Sequence, residues 1–438
     1  METNKYIAAI DLGSTKITGA LARKTPDGNI EILAQETLAA KYIRKGEIKN
    51  VDETAKQIKK IVERLNNCRD LQENGLEITT IYAALGGRSL DTALHTVKRW
   101  LGKEDKITEK LLTEMHRENY NLKFGEDEVF GVFEQEYLVD DEAEHAPVGM
   151  NCSNLQGRYV VIHGDPRLKF NLDNLQKIGD THLVNEQFAP IVAARATLTE
   201  EDIEKGCAFI DFGAETTSVC IFFRGYLRHL FVLPFGGSMI TQDFVENLNL
   251  TQADAEKMKI HFGNALAELE KERKIFIPSK NEGEAPAEFN TIFIAKAVEY
   301  QIDKTLSLIW QEINDAGLAK YLGAGVVIAG GAANLRNLDK HIELKTGCAT
   351  RYAKFDGCNN AIIWGLLKTA KENCSNPVKK EEKVVITQPA PKKGFIRIII
   401  NGVCRLKKIV EESGTFFDEN DEYINITDKE KLEAATIN

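Results

Sequence analysis

One design occurs twice in this chain, some two hundred residues apart. The first copy is Ile10-Asp11-Leu12-Gly13-Ser14-Thr15-Lys16; the second is Ile210-Asp211-Phe212-Gly213-Ala214-Glu215-Thr216-Thr217. Each follows an apolar β-rich run (Tyr6–Ile10 and Cys207–Ile210), turns through Asp-x-Gly with hydroxyl residues, and resumes as a strand (Ile17–Leu21 and Ser218–Phe223). Such a hairpin gathers turn N–H groups and hydroxyls around a concavity that suits a phosphate. Its glycine lets backbone come close. The aspartate at the strand end suits Mg²⁺, which keeps most of its water. Two facing hairpins would clamp a nucleoside triphosphate, so the repeat predicts two halves of shared ancestry with a nucleotide between them. Taken singly, an Asp-x-Gly at a strand end is most often a plain turn; two of them, each followed by a strand, shift the balance to the clamp.

A third stretch supports the clamp. Val326-Val327-Ile328-Ala329-Gly330-Gly331-Ala332-Ala333 reads as a buried strand running into paired glycines, with a helix start at Asn334-Leu335. Bare backbone there would let a flat base or a phosphate lie close.

The 438 residues suffice for two or three domains with full cores. With 43% hydrophobic and 28% charged residues the composition is that of a globular protein, and a net charge of −10 argues against broad nucleic-acid binding. No apolar run reaches the length of a spanning helix, and Met1–Tyr6 lacks a secretory pattern. The eight cysteines stand far apart, without a CxxC pair or a histidine cluster. That spacing predicts neither disulfides nor zinc, and a reducing cytoplasm.

Along the chain, hairpins run to about residue 40. A helix is expected over Asp52–Cys68, with a start signal at Asn50–Asp52, then a strand over Ile78–Leu85 ending at Gly86-Gly87. Residues 88–157 carry no phosphate motif and read as an inserted subdomain. Helices are expected at Leu172–Ile178 and Asn185–Leu198. The second half repeats the plan: a hairpin over 207–235, helices at 238–249, 251–262 and 289–316, a strand at 326–331 and a helix at 360–371. The resulting division is 1–87 with 158–205 as one domain, 206–234 with 311–372 as the other, and 235–310 as a subdomain on the nucleoside side. A linker at 373–394, a helix at 395–412 and an acidic tail at 413–438 follow.

With the three motifs in this order, residues 5 to about 372 resemble the actin–Hsp70–hexokinase superfamily. The implied fold is α/β: an actin-like (ribonuclease-H-like) duplicated two-domain fold. Other segments resemble the FtsA family of bacterial cell-division actin homologues and imply its inserted subdomain. They are Glu136–Asp140 with Pro147–Met150, Phe188–Glu201, Arg228–Asp243 and Ala253–Gly263. The resemblance implies that Gly13, Ser14, Thr15 and Lys16 contact phosphates of ATP and that Asp11 and Asp211 hold Mg²⁺ through water. It implies further that Gly213, Thr216, Thr217, Gly236 and Gly237 form the second clamp, that Glu256 and Lys259 reach the ribose, and that Gly330, Gly331 and Ala332 face the adenosine. Glu186 falls near where relatives position the attacking water. Three departures stand out: Glu215 replaces a common glycine, Ser218 an aspartate and Ala329 a threonine. A carboxylate at 215 would repel phosphates unless it points away or meets the metal. Binding of ATP is therefore expected before hydrolysis, at most a weak ATPase.

Past residue 394 the sequence turns apolar and basic. On a helical wheel Ile396, Ile399, Ile400, Val403, Leu406 and Val410 share an arc, with Arg397, Asn401, Arg405 and Lys408 opposite and Phe395 at the start. This is the pattern of a helix lying on anionic membrane lipids, although Ile398–Ile400 is β-prone and Gly402 weakens a helix. The family likeness implies an adaptor that forms homopolymers, works with other division proteins and attaches the tubulin-like FtsZ to the cytoplasmic face of the membrane at the division site. Two alternatives stay open: a small-molecule kinase with Asp165 as base, or a pilus-assembly actin-like protein.

Overall fold

Two sheets with the same internal plan account for most of the chain. The computed structural model describes residues 5–102, 105–175, 177–277, 286–355 and 357–378. Lys5–Leu12 (β1), Lys16–Lys24 (β2) and Ile30–Ala39 (β3) form an antiparallel meander. A tight hairpin, Ile43–Arg44 (β4) and Glu47–Ile48 (β5), leads to the helix Val51–Asn66 (α1). Asn50 caps α1 by accepting the Glu53 amide, and Ile58, Ile61, Val62 and Leu65 form its buried face. Each such burial stabilises by about 1.5–3 kcal/mol. A side chain at Gly19 on β2 would lie 2.4 Å from Ile61, so glycine there lets the helix settle on the sheet. Arg69–Glu73 (α2), Leu76–Ile78 (β6) and Thr80–Leu85 (β7) follow, with β7 parallel to β1.

The insertion consists of Asp91–Trp100 (β8), Glu109–Glu118 (α3), Glu128–Val139 (β9), Glu142–Glu144 (β10) and Asn154–Gly164 (β11). It has a core of its own around Met115, Leu155, Tyr159 and Val161. The boundary expected at 157 falls inside β11, which pairs with both β8 and β9 along its length. Pro166–Asp173 (α4) returns the chain to Lys177–Ile178 (β12) and Thr181–Phe188 (β13), and β13 lies parallel to β7.

Two expected helices are displaced here. The one placed over 172–178 is α4, started earlier by the Asp165 cap and Pro166. The one placed over 185–198 begins only at Ala189 (α5, Ala189–Thr197), where Pro190 lies in the first turn; the preceding residues pair with β7 instead.

After Glu200–Lys205 (α6) the plan repeats. Cys207–Phe212 (β14), Thr217–Phe223 (β15) and Tyr226–Leu233 (β16) form the second meander. Ser238–Asn247 (α7), Gln252–Phe262 (α8), Lys274–Ile277 (β17), Ala287–Asn290 (β18) and Thr291–Asp315 (α9) come next. The helix α9 runs unbroken through the subdomain boundary expected at 310. Val326–Ala329 (β19), Leu338–Thr346 (α10), Thr350–Tyr352 (β20) and Ala361–Thr369 (α11) complete the second half. The order β3-β2-β1-β7-β13 in one sheet matches β16-β15-β14-β19-β20 in the other. The insertion extends the second sheet through Asp91 against Phe231.

The linker expected from 373 starts late. Ser375–Pro377 (β21) pairs with β6, Cys374 is fully buried, and its carbonyl accepts the amides of Thr79 and Thr80. Backbone pairing and thiol burial outweigh the polar composition. The remainder of that linker, the expected membrane helix (Phe395 to Val410) and the acidic tail lie outside the described residues. No helix among the described residues is long and apolar enough to cross a membrane.

Candidate nucleotide cleft

The two acidic turns superimpose in register. Asp11 stands opposite Thr18 on the neighbouring strand, and Asp211 opposite Ser218. A side chain at Gly13 would lie 2.7 Å from the Lys16 carbonyl oxygen, and one at Gly213 lies 2.7 Å from that of Thr216. Glycine at each tip is thus demanded by the tightness of the turn. The amides of Ser14 and Thr15 in one turn, and of Ala214 and Glu215 in the other, donate to no acceptor among the described residues. Unpaired amides on an acidic turn are what an anion with its own counter-cation requires.

The carboxylates face each other electrostatically. Burial raises the Asp11 carboxyl, offset by the Asn360 side-chain amide, which donates to Oδ2 at 2.7 Å, and by the Lys16 ammonium. Burial and the Asp11 charge push Asp211 up to about 7. A hydrated divalent cation would relieve this strain. Among the described residues no cluster of three or more His, Cys, Asp or Glu side chains is disposed to hold a metal. Two buried carboxylates suit a hydrated ion of the Mg²⁺ kind, which takes its other ligands from water and phosphate.

The residues expected on the nucleoside side also converge. Lys259 Nζ donates to the Gly237 carbonyl at 3.1 Å, to Thr241 Oγ1 at 2.9 Å and to Glu256 Oε2 at 2.7 Å. Glu256 and Lys259 lie three apart on α8, so one helix face carries both. A side chain on Gly237 would come within 2.9 Å of Ala332, and one on Gly236 within 2.6 Å of the Gly213 and Ala214 carbonyls. The Gly237 and Ser238 amides donate to those same carbonyls, which fastens the start of α7 to the second turn. Gly330, at φ +92°, would drive a side chain into Asp211 Oδ1 at 2.3 Å, whereas Gly331 faces open space.

Thr217, expected in the second clamp, points its hydroxyl to backbone. It is fully buried and donates its hydroxyl to the Phe235 carbonyl at 2.9 Å, so in this structure its hydroxyl braces the hairpin. Thr216 makes no side-chain hydrogen bond among the described residues. Glu186 is exposed at an irregularity of β13, and no hydrogen bond or ion pair among the described residues joins it to the aspartates. Asp165, the base a kinase would need, caps α4 and pairs with Arg167.

Sequence reasoning missed two participants. Asn360 caps α11 through the Ile363 amide and also holds Asp11; an asparagine before an apolar run was the available signal. The β4–β5 turn is the other. Gly46 donates its amide to Ser14 Oγ at 2.9 Å, and Lys45 donates its own to Glu215 Oε2 at 2.6 Å.

A family model described as cell division protein FtsA matches residues 208–377. The cell division protein FtsA of Porphyromonas gingivalis is 29% identical over 342 residues, covering 76% of this chain and 69% of that one. The protein of that name from Escherichia coli strain K12 is 24% identical over 402 residues, covering 87% and 94%. Among solved structures, a PilM–PilN type IV pilus biogenesis complex aligns with a TM-score of 0.58 at 13% identity, covering 82% of this chain and 97% of that one. MreB 5 of Spiroplasma citri bound to AMPPNP aligns with a TM-score of 0.51 at 15% identity, covering 83% and 95%. At those identities the structural likeness establishes the actin-like fold and no more.

Proposed function

We propose that the chain, which has the actin-like fold, belongs to the FtsA family of bacterial cell-division proteins, that it binds ATP with Mg²⁺ between its halves, and that it works as a polymerising membrane adaptor. The observation that carries the nucleotide part is the pair of acidic turns in matching register, each with unpaired amides, around two buried aspartates, the charge of Asp11 adding to burial in raising the Asp211 carboxyl. AMPPNP in the similarly folded MreB 5 supports a nucleotide in this cleft. When bound, the metal would supply positive charge to the phosphates. Asp11 and Asp211 would hold its water, Asn360 orients Asp11, and Lys259 with Glu256 would meet the ribose. Gly330 and Gly331 leave room for the base.

The adaptor part rests on the family and on the sequence of the C-terminal block. The apolar arc from Ile396 to Val410, with its arginines and lysines opposite, would lie on anionic lipid. One such helix binds weakly; a head-to-tail polymer multiplies the anchors and turns marginal affinity into attachment. The partner held at the membrane would be FtsZ.

The test is co-sedimentation of FtsZ with anionic liposomes, using the full chain and one cut at residue 390, with and without Mg–ATP. FtsZ should pellet only with the full chain, and more with ATP. Equal pelleting by the cut chain would remove the membrane assignment. Titration calorimetry with Mg–ATP tests the cleft separately, and an Asp11→Ala, Asp211→Ala chain should bind at least tenfold more weakly. The pilus-assembly reading draws on the PilM–PilN likeness; an intact chain that pellets with liposomes yet never brings FtsZ would favour it.

A further inference from the structure

Glu215 breaks the symmetry of the two turns. Thr15 occupies the matching position of the first turn and is exposed, while Glu215 reaches across to the first half and accepts the Lys45 amide at 2.6 Å, 170 positions away in sequence. Lys45 sits at φ +51° and Gly46 at φ +72°, the backbone of a tight two-residue turn between β4 and β5. That turn is fastened on three sides. Gly46 donates to Ser14 in the first acidic turn, the Lys45 carbonyl accepts the Arg88 amide just ahead of the insertion, and Glu215 ties it to the second acidic turn. Gly46 fits only as glycine, since a side chain there would lie 2.9 Å from the backbone of Gly87.

Glu215 also offers an unpaired amide to the cleft. An anion held on that amide lies next to the residue's own carboxylate, and two further carboxylates, Asp11 and Asp211, are already present. A cation between the aspartates offsets their charge, but the Glu215 carboxylate is engaged with Lys45 and carries its charge at the cleft. Like charges this close disfavour one another. A diphosphate brings less charge to the turns than a triphosphate does.

We propose that Glu215 is a specificity-determining residue for the nucleotide: a cross-cleft latch on Lys45 that the terminal phosphate of a nucleoside triphosphate must displace. With diphosphate bound the β4–β5 turn stays fastened to both halves; with triphosphate it is released from the second half. This rests on the nucleotide reading of the cleft.

The experiment uses the full chain with Mg²⁺, comparing affinities for ATP and ADP and following exchange of the Lys45 amide by NMR or mass spectrometry. Glu215→Gln keeps an acceptor for the Lys45 amide and removes the charge. It should raise the preference for ATP over ADP roughly five- to fiftyfold, the range of ordinary coupling between sites. Glu215→Ala should raise it likewise and leave the Lys45 amide fast-exchanging in every state. In the unaltered chain that amide should be protected with ADP and should exchange faster with AMPPNP. A preference within twofold of the unaltered chain in both variants overturns the latch while the cleft stands. So does equal protection of Lys45 under the two nucleotides. Loss of Mg-dependent binding of both nucleotides in Glu215→Gln would instead make it a metal ligand. An unaltered chain that binds neither nucleotide overturns the cleft reading and the latch together.

Discussion

Gly330 and Gly331 are adjacent and chemically identical, yet they should answer substitution differently. Gly330 combines φ +92° with contacts at 2.3 Å from an added side chain to Asp211 and to the Phe212 carbonyl. Gly330→Ala should therefore lower the melting temperature by several degrees, a cost of about 1–2 kcal/mol from the backbone alone. Gly331→Ala meets open space and should leave melting unchanged while weakening nucleotide binding, which calorimetry would detect. Glu270 offers a pH test. It is buried, yet hydrogen bonds from Asn264 and Arg273 and the charge of Arg336 outweigh burial and hold its carboxyl below the ordinary range. A carboxyl depressed on folding adds stability that is fully present above the unfolded carboxylate range, about pH 4.5, and fades as pH falls through the depressed value. Urea titrations at pH 7 and pH 3.5 should show Glu270→Gln costing about 1–2 kcal/mol at the higher pH and much less at the lower, since both arginines are half exposed. The need for glycine at position 13 and the shared helix face of Glu256 and Lys259 were legible because local spacing decides both. Asn360 and Lys45 were not, because each acts through a contact with a residue far away in sequence.

Elements were read correctly wherever local rules decide. The Asn50 cap and the spacing of Ile58, Ile61, Val62 and Leu65 specify α1 within the chain's own neighbourhood. They were misread where a distant partner decides. Asn185–Phe188 falls in the helix expected over 185–198 and is instead the end of the strand Thr181–Phe188, because β7 pairs with it. The α5–α11 crossing joins segments that no local pattern connects. An added side chain on Gly365 of α11 would meet Val192 Cγ1 and its carbonyl oxygen, both at 2.4 Å. Gly365→Ala should separate the two helices and cost about 1–3 kcal/mol in urea unfolding. An unchanged midpoint would mean the helices do not need this close approach.

At the scale of the molecule, duplication was readable from two motifs, whereas the joining of the insertion to the second sheet was not, because it rests on a single register between Asp91 and Phe231. One apolar core runs through both halves and contains Cys207, Cys220, Cys358 and Cys374. Burial raises all four thiols, Cys207 to about 12 and Cys374 to about 11. A thiol reagent at neutral pH should consequently modify the partly exposed Cys68 and Cys348 in the native protein and reach these four only on unfolding. Rapid labelling of the four would mean that the halves part easily. The strand β21 has a mechanical corollary. The chain crosses back from α11 and leaves the described fold along β6, so a pull on anything attached beyond Val378 is felt first by the half that carries Asp11. Three register pairs with β6, together with the bonds of Cys374 to Tyr6, Thr79 and Thr80, would bear that load before the second half senses it.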